Sequence, residues 1–298
     1  MKYIIGVDGG GTKTKFVLYD VMGIPLKTFQ SGSCHLMQVS QNQARLTLYQ
    51  GVQNLIKDLD ISPQDLFISL GLAGYGNQVM KRELELVTAS ALSPYSYHLV
   101  SDAEIALYGA LGGQDGIIVI AGTGSIAYAK VGQEILRAGG WGYFLGDEGS
   151  SYWIGQHLLE LFSQQLDGRL EKTILHDYLW DKFQLNEPLD LIKYSNDHFV
   201  GHRSQVAQLA KDAAKLAKEG DPHMQDLFEK AGLELGRLVQ ALASHFPQGC
   251  PVSTVGGLWE SKDILRQAFQ TSLASKFQLQ APLQAPEYGA YLIAKDLI

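Results

Sequence analysis

The sequence contains few cysteines, and their positions exclude several classes of metalloprotein. Cys34 and Cys250 are the only two among 298 residues, and they form no CxxC pair. Two isolated thiols cannot supply the closely spaced ligands of a zinc or iron-sulfur site without another chain. Free thiols of this kind suit a reducing cytoplasm.

Long apolar runs and an excess of basic charge are also missing. No run reaches the ~18 apolar residues that a membrane helix needs, and the opening MKYIIGVDGGG lacks the apolar stretch and cleavage site of a signal peptide. Lys and Arg number 24 against 31 Asp and Glu, a net charge of -7, whereas a sequence-independent nucleic-acid binder needs a basic face. We therefore expect a cytoplasmic protein with no nucleic-acid or membrane partner.

What the sequence does contain is 32 glycines, some of which interrupt strand-like segments in a repeated way. Residues 3–19 and 117–130 both show an apolar strand pattern, a glycine turn and a second strand pattern. This repetition, together with helical segments in between, predicts an α/β fold made of two duplicated domains. We place the domains at 1–112 and 113–298, and the last helix, 286–298, is a candidate to return to the first domain.

Apolar spacing predicts the main helices of both domains. Residues 43–59 and 223–245 carry apolar side chains at helical spacing, and Ser204 is placed to cap a further helix that stops at Gly220. Residues 251–255 are expected to form a strand that enters Gly256 and Gly257.

The two glycine turns are candidate phosphate-binding loops. Adjacent glycines let the backbone approach a polyphosphate and point its N–H groups inward. Asp8, at the end of the first strand, is placed to hold Mg²⁺ through water. The alternative is a pair of plain turns, and no Walker P-loop or GxGxxG fingerprint is present. The candidate phosphate ligands are Gly10, Gly11, Thr12, Lys13, Gly122, Thr123 and Gly124.

Asp102 is the candidate catalytic base. It follows the apolar run 98–100, and a carboxylate at the carboxyl end of a strand lies where α/β folds bind ligands. It could accept the proton of a sugar hydroxyl that attacks the γ-phosphate of ATP. The alternative is a helix cap, and Glu104 is expected to be a solvated residue of that helix.

Two further glycine-rich segments are candidate ligand loops. The stretch GGWGYFLGDEGS at 139–150 suits a loop that surrounds a sugar, and the alternative is a structural Trp with an acidic cap before the helix at Ser151. After the strand that ends at Val255, Gly256 and Gly257 could let an adenine lie against bare backbone, or could form an ordinary strand-to-helix turn.

In combination these segments resemble the N-acetylglucosamine kinases of the BadF/BadG/BcrA/BcrD ATPase family, within the sugar kinase, heat-shock 70 and actin superfamily. The resemblance runs over essentially the whole length through DGGGTKT, SDAE, IAGTGS, GGWGYFLGDEGSSYWIG, AKEGDP and VGGLWES. It implies two actin-like, ribonuclease H-like domains with an interdomain cleft, the cofactors ATP and Mg²⁺, and phosphorylation of N-acetylglucosamine to its 6-phosphate. A homodimer is also a family expectation.

The resemblance also implies roles for single residues. Asp102 corresponds to the base that also contacts the sugar, and Ala214 corresponds to a nucleotide-contacting alanine. The other positions are Asp8 and Thr12 in the first phosphate motif, Thr123 in the second, Gly256 and Gly257 in the adenosine motif, and Gly140, Trp141 and Asp147 in the sugar site.

One departure from the family pattern concerns the sugar. His35 stands where the family has a sugar-contacting Asn, and imidazole differs from an amide in reach and in charge. Glucosamine, N-acetylmuramic acid and simple hexoses therefore stay open as substrates. Two functions compete with a kinase. One is an ATP-driven activator of a dehydratase or reductase, which would need closely spaced cysteines to bind a [4Fe-4S] cluster. The other is a sugar sensor without catalytic activity.

Overall fold

A computed structural model describes residues 2–260 and 263–298, and the chain divides into two compact units. Unit 1 comprises Met1–Gly116, Tyr128–Ile135 and Ala281–Ile298, and unit 2 comprises Ile117–Ala127 and Leu136–Gln280. Ser261, the last residue of the VGGLWES motif, lies outside the described residues. Across the described ranges, every helix is too short or too polar to cross a membrane.

Strands and helices alternate along most of the described chain. The strands are β1 (Tyr3–Gly9), β2 (Lys13–Asp20), β3 (Pro25–Gly32), β4 (Leu66–Leu72), β5 (Ser96–Ser101), β6 (Gly116–Ala121), β7 (Ser125–Val131), β8 (Glu134–Gly139), β9 (Pro251–Val255) and β10 (Gln278–Gln280). The α-helices are α1 (Gln41–Ile56), α2 (Gln78–Leu92), α3 (Asp102–Leu111), α4 (Ser151–Leu166), α5 (Ile174–Phe183), α6 (Asp190–His198), α7 (Arg203–Lys218), α8 (Pro222–Leu242), α9 (Asp263–Ser272) and α10 (Pro286–Leu297).

The strands form two sheets with the same internal order. The first sheet runs β3-β2-β1-β4-β5 and the second runs β8-β7-β6-β9-β10. In the first, β1 is antiparallel to β2 and parallel to β4, which is parallel to β5. In the second, β9 is parallel to both β6 and β10. The repeated order confirms the predicted α/β fold of two similar domains.

The central strand of unit 1 separates two apolar layers. Ile5 and Val7 belong to the cluster that contains Leu48 of α1, whereas Ile4 belongs to the cluster that contains Tyr291 of α10. Successive side chains of a strand point to opposite faces, so one strand can contribute to both layers. Helices therefore cover this sheet on both sides.

Helix α10 approaches the sheet and α3 at backbone distance. A Cβ atom on Gly6 would lie 2.0 Å from the carbonyl oxygen of Glu287, and one on Gly289 would lie 1.9 Å from that of Ile105. Only glycine can occupy such positions without displacing backbone. The close contact buries the first turn of α10, including the Glu287 side chain, against β1.

The helix ends differ from the predictions in detail. The helix predicted at 43–59 spans Gln41–Ile56, and the one predicted at 223–245 ends at Leu242 before a short 3₁₀ turn. The prediction that Ser204 caps α7 is wrong, because the helix begins one residue earlier, at Arg203. By contrast, β9 has the bounds predicted for it.

Candidate active site

The carboxyl ends of three neighbouring strands of unit 1 meet in one row. Gly9 of β1 pairs with Leu72 of β4, and Leu72 pairs with Ser101 of β5. Asp8 is the penultimate residue of β1, and Asp102 is the first residue after β5. Both therefore lie at the edge of the sheet where the strands end. The two carboxylates are close enough for the charge of Asp102 to act on Asp8.

Asp8 occupies an electrostatically unfavourable position. Burial raises the pKa of Asp8 to about 6, and the negative charges of Glu287 and Asp102 add to this increase. Lys13 and Lys15 oppose it, but Lys15 is already ion-paired with the buried Glu287. A carboxylate whose charge is only partly neutralised by protein attracts a cation.

Asp102 has one carboxylate oxygen engaged by its own helix. Its Oδ1 accepts a hydrogen bond from the N–H of Ala103 at 2.9 Å, and among the described residues none donates to Oδ2. Burial raises the pKa of Asp102 above its ordinary value of 3.8, partly offset by backbone N–H groups.

The helix-cap alternative for Asp102 is wrong. The cap of α3 is Ser101, whose Oγ accepts from the N–H of Glu104 at 3.1 Å. Glu104 itself is not solvated as predicted, because it is half-buried and burial raises its pKa. Asp102 is thus left with an oxygen that the local structure does not use.

The first glycine turn presents free backbone donors. The N–H of Gly10 donates to the carbonyl of Lys13 at 3.0 Å, which closes the turn. In the described part of the chain, the N–H groups of Gly11 and Thr12 meet no acceptor, and Thr12 is exposed. Such successive outward N–H groups form an anion-binding concavity.

His35 is anchored to the first glycine turn. Its N–H donates to Ser33 Oγ at 3.0 Å, and that hydroxyl donates to the carbonyl of Gly10 at 3.2 Å. The N–H of Met37 donates to His35 Nδ1 at 3.2 Å. Because Nδ1 accepts, the proton of the neutral ring lies on Nε2, which can donate. The ring lies close enough to Asp102 to contribute to the electrostatic environment of that carboxyl group.

In unit 2 the second glycine turn is fixed by the start of α4. Gly122 N–H donates to the carbonyl of Gly124 at 2.9 Å, and Ser151 N–H donates to the carbonyl of Gly122 at 2.9 Å. Tyr152 N–H donates to the carbonyl of Thr123 at 3.3 Å. The first residues of α4 thus hold the turn through its carbonyl groups, and Thr123 remains exposed.

The segment 139–150 is a loop whose shape depends on unusual backbone angles. Gly140 has a φ of 70°, and a Cβ atom there would lie 2.2 Å from Ile126 Cδ1. Trp141 is exposed, with the guanidinium of Arg137 over its ring at 4.8 Å. The alternative of an acidic cap is wrong, because Ser150 Oγ accepts from the N–H of Trp153 and caps α4.

Asp147 is the buried charge of this loop. It is 4% exposed and has a φ of 63°. Its Oδ1 accepts from the N–H of Ser125 at 3.4 Å, and its Oδ2 accepts from Arg203 Nη2 at 2.5 Å. Asp147 therefore joins the loop to the second glycine turn and to the start of α7.

A cavity of about 450 Å³ in unit 2 brings the second glycine turn and the adenosine motif together. Gly122, Thr123 and Gly257 line it. Ala214, on helix α7, lines a separate cavity of about 90 Å³. Gly256 lines neither of these two cavities. The remaining walls of the larger cavity are Ser151, Ser204, Ala207, Gln208, Ala210, Lys211, Leu258 and Glu260.

Sequence reasoning missed several residues of these sites. Ser204 and Lys211 lie on the face of α7 that lines the cavity, and their helical spacing with Ala207 and Gln208 was available as a signal. No sequence motif or periodicity near Arg203 or Glu287 indicated that either residue belongs to a site. Among the described residues, no group of three or more His, Cys, Asp or Glu side chains is arranged to hold a metal ion.

Comparison with known proteins gives consistent matches along the chain. A sequence model of the BadF/BadG/BcrA/BcrD ATPase family matches residues 5–294. An N-acetylmuramic acid/N-acetylglucosamine kinase from Clostridium acetobutylicum is 30% identical over 305 residues, with 99% of each chain covered. An N-acetyl-D-glucosamine kinase from Dictyostelium discoideum is 29% identical, with 97% of each chain covered.

A solved structure agrees with these sequence matches. It is from Chromobacterium violaceum, of a protein proposed to be an N-acetylglucosamine kinase, and it is 31% identical to this chain. The match has a TM-score of 0.78 and covers 98% of this chain and 99% of that one.

Proposed function

Because the chain belongs to the BadF/BadG/BcrA/BcrD ATPase family, we propose that it is an ATP-dependent amino-sugar kinase. Its best-fitting substrate is N-acetylglucosamine, which it converts to N-acetylglucosamine 6-phosphate. The observation that carries the proposal is the row of strand ends in unit 1, where Asp8 of β1 and Asp102 after β5 lie at the same edge of the sheet with β4 between them. One carboxylate suits a cation, and the other has a free oxygen and a raised pKa.

Asp102 acts as the general base. Its carboxylate accepts the proton of the sugar hydroxyl, while the hydroxyl oxygen forms a bond to the γ-phosphorus of ATP. The bond from that phosphorus to the bridging oxygen breaks, and its electron pair leaves with ADP. The proton then passes from Asp102 to solvent. Phosphoryl transfer depends mainly on positioning and on charge neutralisation, so the base needs only correct placement and a suitable pKa.

Mg²⁺ fits Asp8. Mg²⁺ in kinase sites is typically held by one or two carboxylates, by water and by the substrate phosphates. Asp8 is a partly buried carboxylate with two further negative charges nearby, which matches this mode. Bound there through water, the ion would neutralise charge on the phosphates of ATP.

The nucleotide is assigned to residues of both glycine turns and of the adenosine motif. In unit 1 the N–H groups of Gly11 and Thr12, which meet no acceptor among the described residues, are the candidate phosphate donors, and Gly10 and Lys13 flank them. In unit 2 the candidates are Gly122, Thr123 and Gly257, which line the larger cavity, their chain neighbours Gly124 and Gly256, and Ala214 at the smaller cavity.

The candidate sugar-binding residues are those that the sequence predicts. His35 and Asp102 are the candidates in unit 1, and Gly140, Trp141 and Asp147 are the candidates in unit 2. We also infer a cytoplasmic location, where ATP is abundant. The homodimer implied by the family stays a prediction.

The proposed function is tested by ATP consumption with Mg²⁺ and a panel of sugars. The panel is N-acetylglucosamine, N-acetylmuramic acid, glucosamine, N-acetylmannosamine and glucose. We expect N-acetylglucosamine to stimulate turnover most, with slow ATP hydrolysis in its absence. If no sugar stimulates turnover, the kinase proposal is wrong.

The pH dependence of the reaction should show the raised pKa of Asp102. The base works only when deprotonated, so kcat/KM for the sugar should rise with pH through that pKa. The acidic limb is expected above 3.8, the ordinary value of Asp. Rates measured at saturating ATP and Mg²⁺ across pH check this. A limb at or below 3.8 would contradict the assignment.

Replacing His35 with Asn should change the choice of sugar. The ring offers one donor, Nε2–H, because Met37 N–H occupies Nδ1, whereas an amide offers a donor and an acceptor. We expect the ratio of kcat/KM between sugars to change about 10-fold, while KM for ATP changes less than about 2-fold. His245→Asn, at an exposed position of unit 2, is the matched control. Unchanged ratios across the panel would remove His35 from the sugar site.

A further inference from the structure

The ion pair between Arg203 and Asp147 in unit 2 is less exposed than an ordinary surface pair. Arg203 donates to Asp147 at 2.5 Å, and the side chains are 38% and 4% exposed. A buried carboxylate without a cation would be strongly destabilised. Arg203 therefore supplies the counter-charge next to Asp147 inside the loop that we assign to the sugar.

The same guanidinium lies against the second glycine turn. A Cβ atom on Gly124 would be 2.6 Å from Arg203 Nη2 and 2.7 Å from Asp147 Oδ2. The next residue, Ser125, donates its N–H to Asp147 Oδ1. Only the absence of a side chain at Gly124 lets this positive charge approach the turn, which places it beside our candidate phosphate site.

Arg203 has more donors than Asp147 uses. A guanidinium carries five N–H donors, and the bonds formed among the described residues engage Nη2 alone. Nε is buried without a partner, and the guanidinium carbon lies over the ring of Tyr143, 5.5 Å from its centroid. An arginine held rigidly, with spare donors beside a phosphate turn, is suited to a planar, negatively charged group.

We propose that Arg203 is a further catalytic residue, which holds Asp147 for the sugar and donates hydrogen bonds to the phosphoryl group during its transfer. This inference rests on the proposed kinase function. No bond to Arg203 forms or breaks in the step. Its donors bind the oxygens of the phosphoryl group while the sugar oxygen bonds to phosphorus and the electron pair of the broken bond leaves with ADP.

The test compares Arg203→Met with Arg169→Met. Arg169 forms an arginine–aspartate pair with Asp167 at 2.7 Å, also in unit 2, but its side chains are 61% and 51% exposed. Arg203→Met is expected to lower kcat at saturating ATP and sugar by ~10²–10³, as removal of a preorganised donor to developing charge does. Arg169→Met is expected to match the wild type. Arg203→Lys should recover part of the lost kcat, since lysine restores the positive charge but not the planar arrangement of N–H donors.

A binding measurement separates catalysis from a purely structural role. With saturating sugar and Mg²⁺, affinities are measured for ADP and for ADP with aluminium fluoride, which imitates the phosphoryl group in transfer. Arg203→Met should weaken the second affinity by ~10²-fold and leave ADP alone nearly unchanged. If the Met variant does not fold, Arg203→Gln replaces it, because glutamine still donates to Asp147 without a charge.

The outcomes distinguish the two proposals. If the variants bind both ligands as the wild type does, or weaken both equally, Arg203 has only a structural role and the inference is wrong. If the wild type itself shows neither sugar-stimulated turnover nor tighter binding with aluminium fluoride, the kinase proposal fails first.

Discussion

Asp102→Asn should lower kcat by ~10²–10⁴, which is the loss typical of removing a general base. The amide is isosteric with the carboxylate, and its oxygen can still accept the hydrogen bond from Ala103 N–H. The fold and nucleotide affinity should therefore be retained. Turnover with N-acetylglucosamine and binding of a non-hydrolysable ATP analogue measure the two effects separately.

Glu104→Gln provides the matched control for Asp102. Both carboxyl groups lie in the first turn of α3, and burial raises the pKa of both. Only Asp102 directly follows the row of strand ends. Glu104→Gln should keep kcat within about 2-fold of wild type, because the amide keeps the shape of the side chain and Glu104 has no role in the proposed transfer. Equal losses in both variants would point to a disturbed helix rather than a lost base.

Gly256→Ala should destabilise unit 2, whereas Gly257→Ala should not. Gly256 has a φ of 111° and a ψ of 158°, a region open essentially to glycine alone. A Cβ atom there would also lie 2.3 Å from the carbonyl oxygen of Ala121, while one on Gly257 meets no heavy atom within 4 Å. We expect Gly256→Ala to lower the free energy of unfolding by about 3 kcal/mol or more, from strain and overlap together.

The neighbouring glycine should affect the ligand instead of the fold. Gly257 lines the cavity that Thr123 also lines, so an added methyl group occupies space that we assign to the nucleotide. We expect Gly257→Ala to change the free energy of unfolding by less than about 1 kcal/mol and to raise KM for ATP. Chemical denaturation and ATP kinetics of both variants check the pair. Equal stability of the two would contradict the backbone argument.

Much of the fold could be predicted from local patterns. The sequence repeats a pattern of a strand, a glycine turn and a second strand, and this repetition predicted two similar domains. The strand order shared by the two sheets confirms them. The strand at Pro251–Val255 was predicted with its observed bounds. Helix ends were less accurate, because several residues near each end can serve as the cap. Ser101 and Ser150 cap their helices where acidic residues nearby were the alternatives.

The partners of the site residues could not be predicted. Lys15 and Glu287 form an ion pair across a sequence separation of 272, and Asp147 and Arg203 form one across 56. No periodicity or motif joins such positions, since each pair exists only because separate elements pack together. For the same reason the pKa of Asp8, raised to about 6 by burial and by Glu287, was not available from the sequence.

The sequence by itself determined the backbone of the candidate site. Glycine turns after apolar strands, and a carboxylate after a strand, are local features, because backbone angles and strand alternation depend on neighbouring residues. Only the tertiary structure decided the electrostatics. It placed Asp8 near Glu287 and Asp102, and it brought Arg203 and Asp147 together against Gly124. Burial and charge act through distance in space, which the order of residues along the chain does not contain.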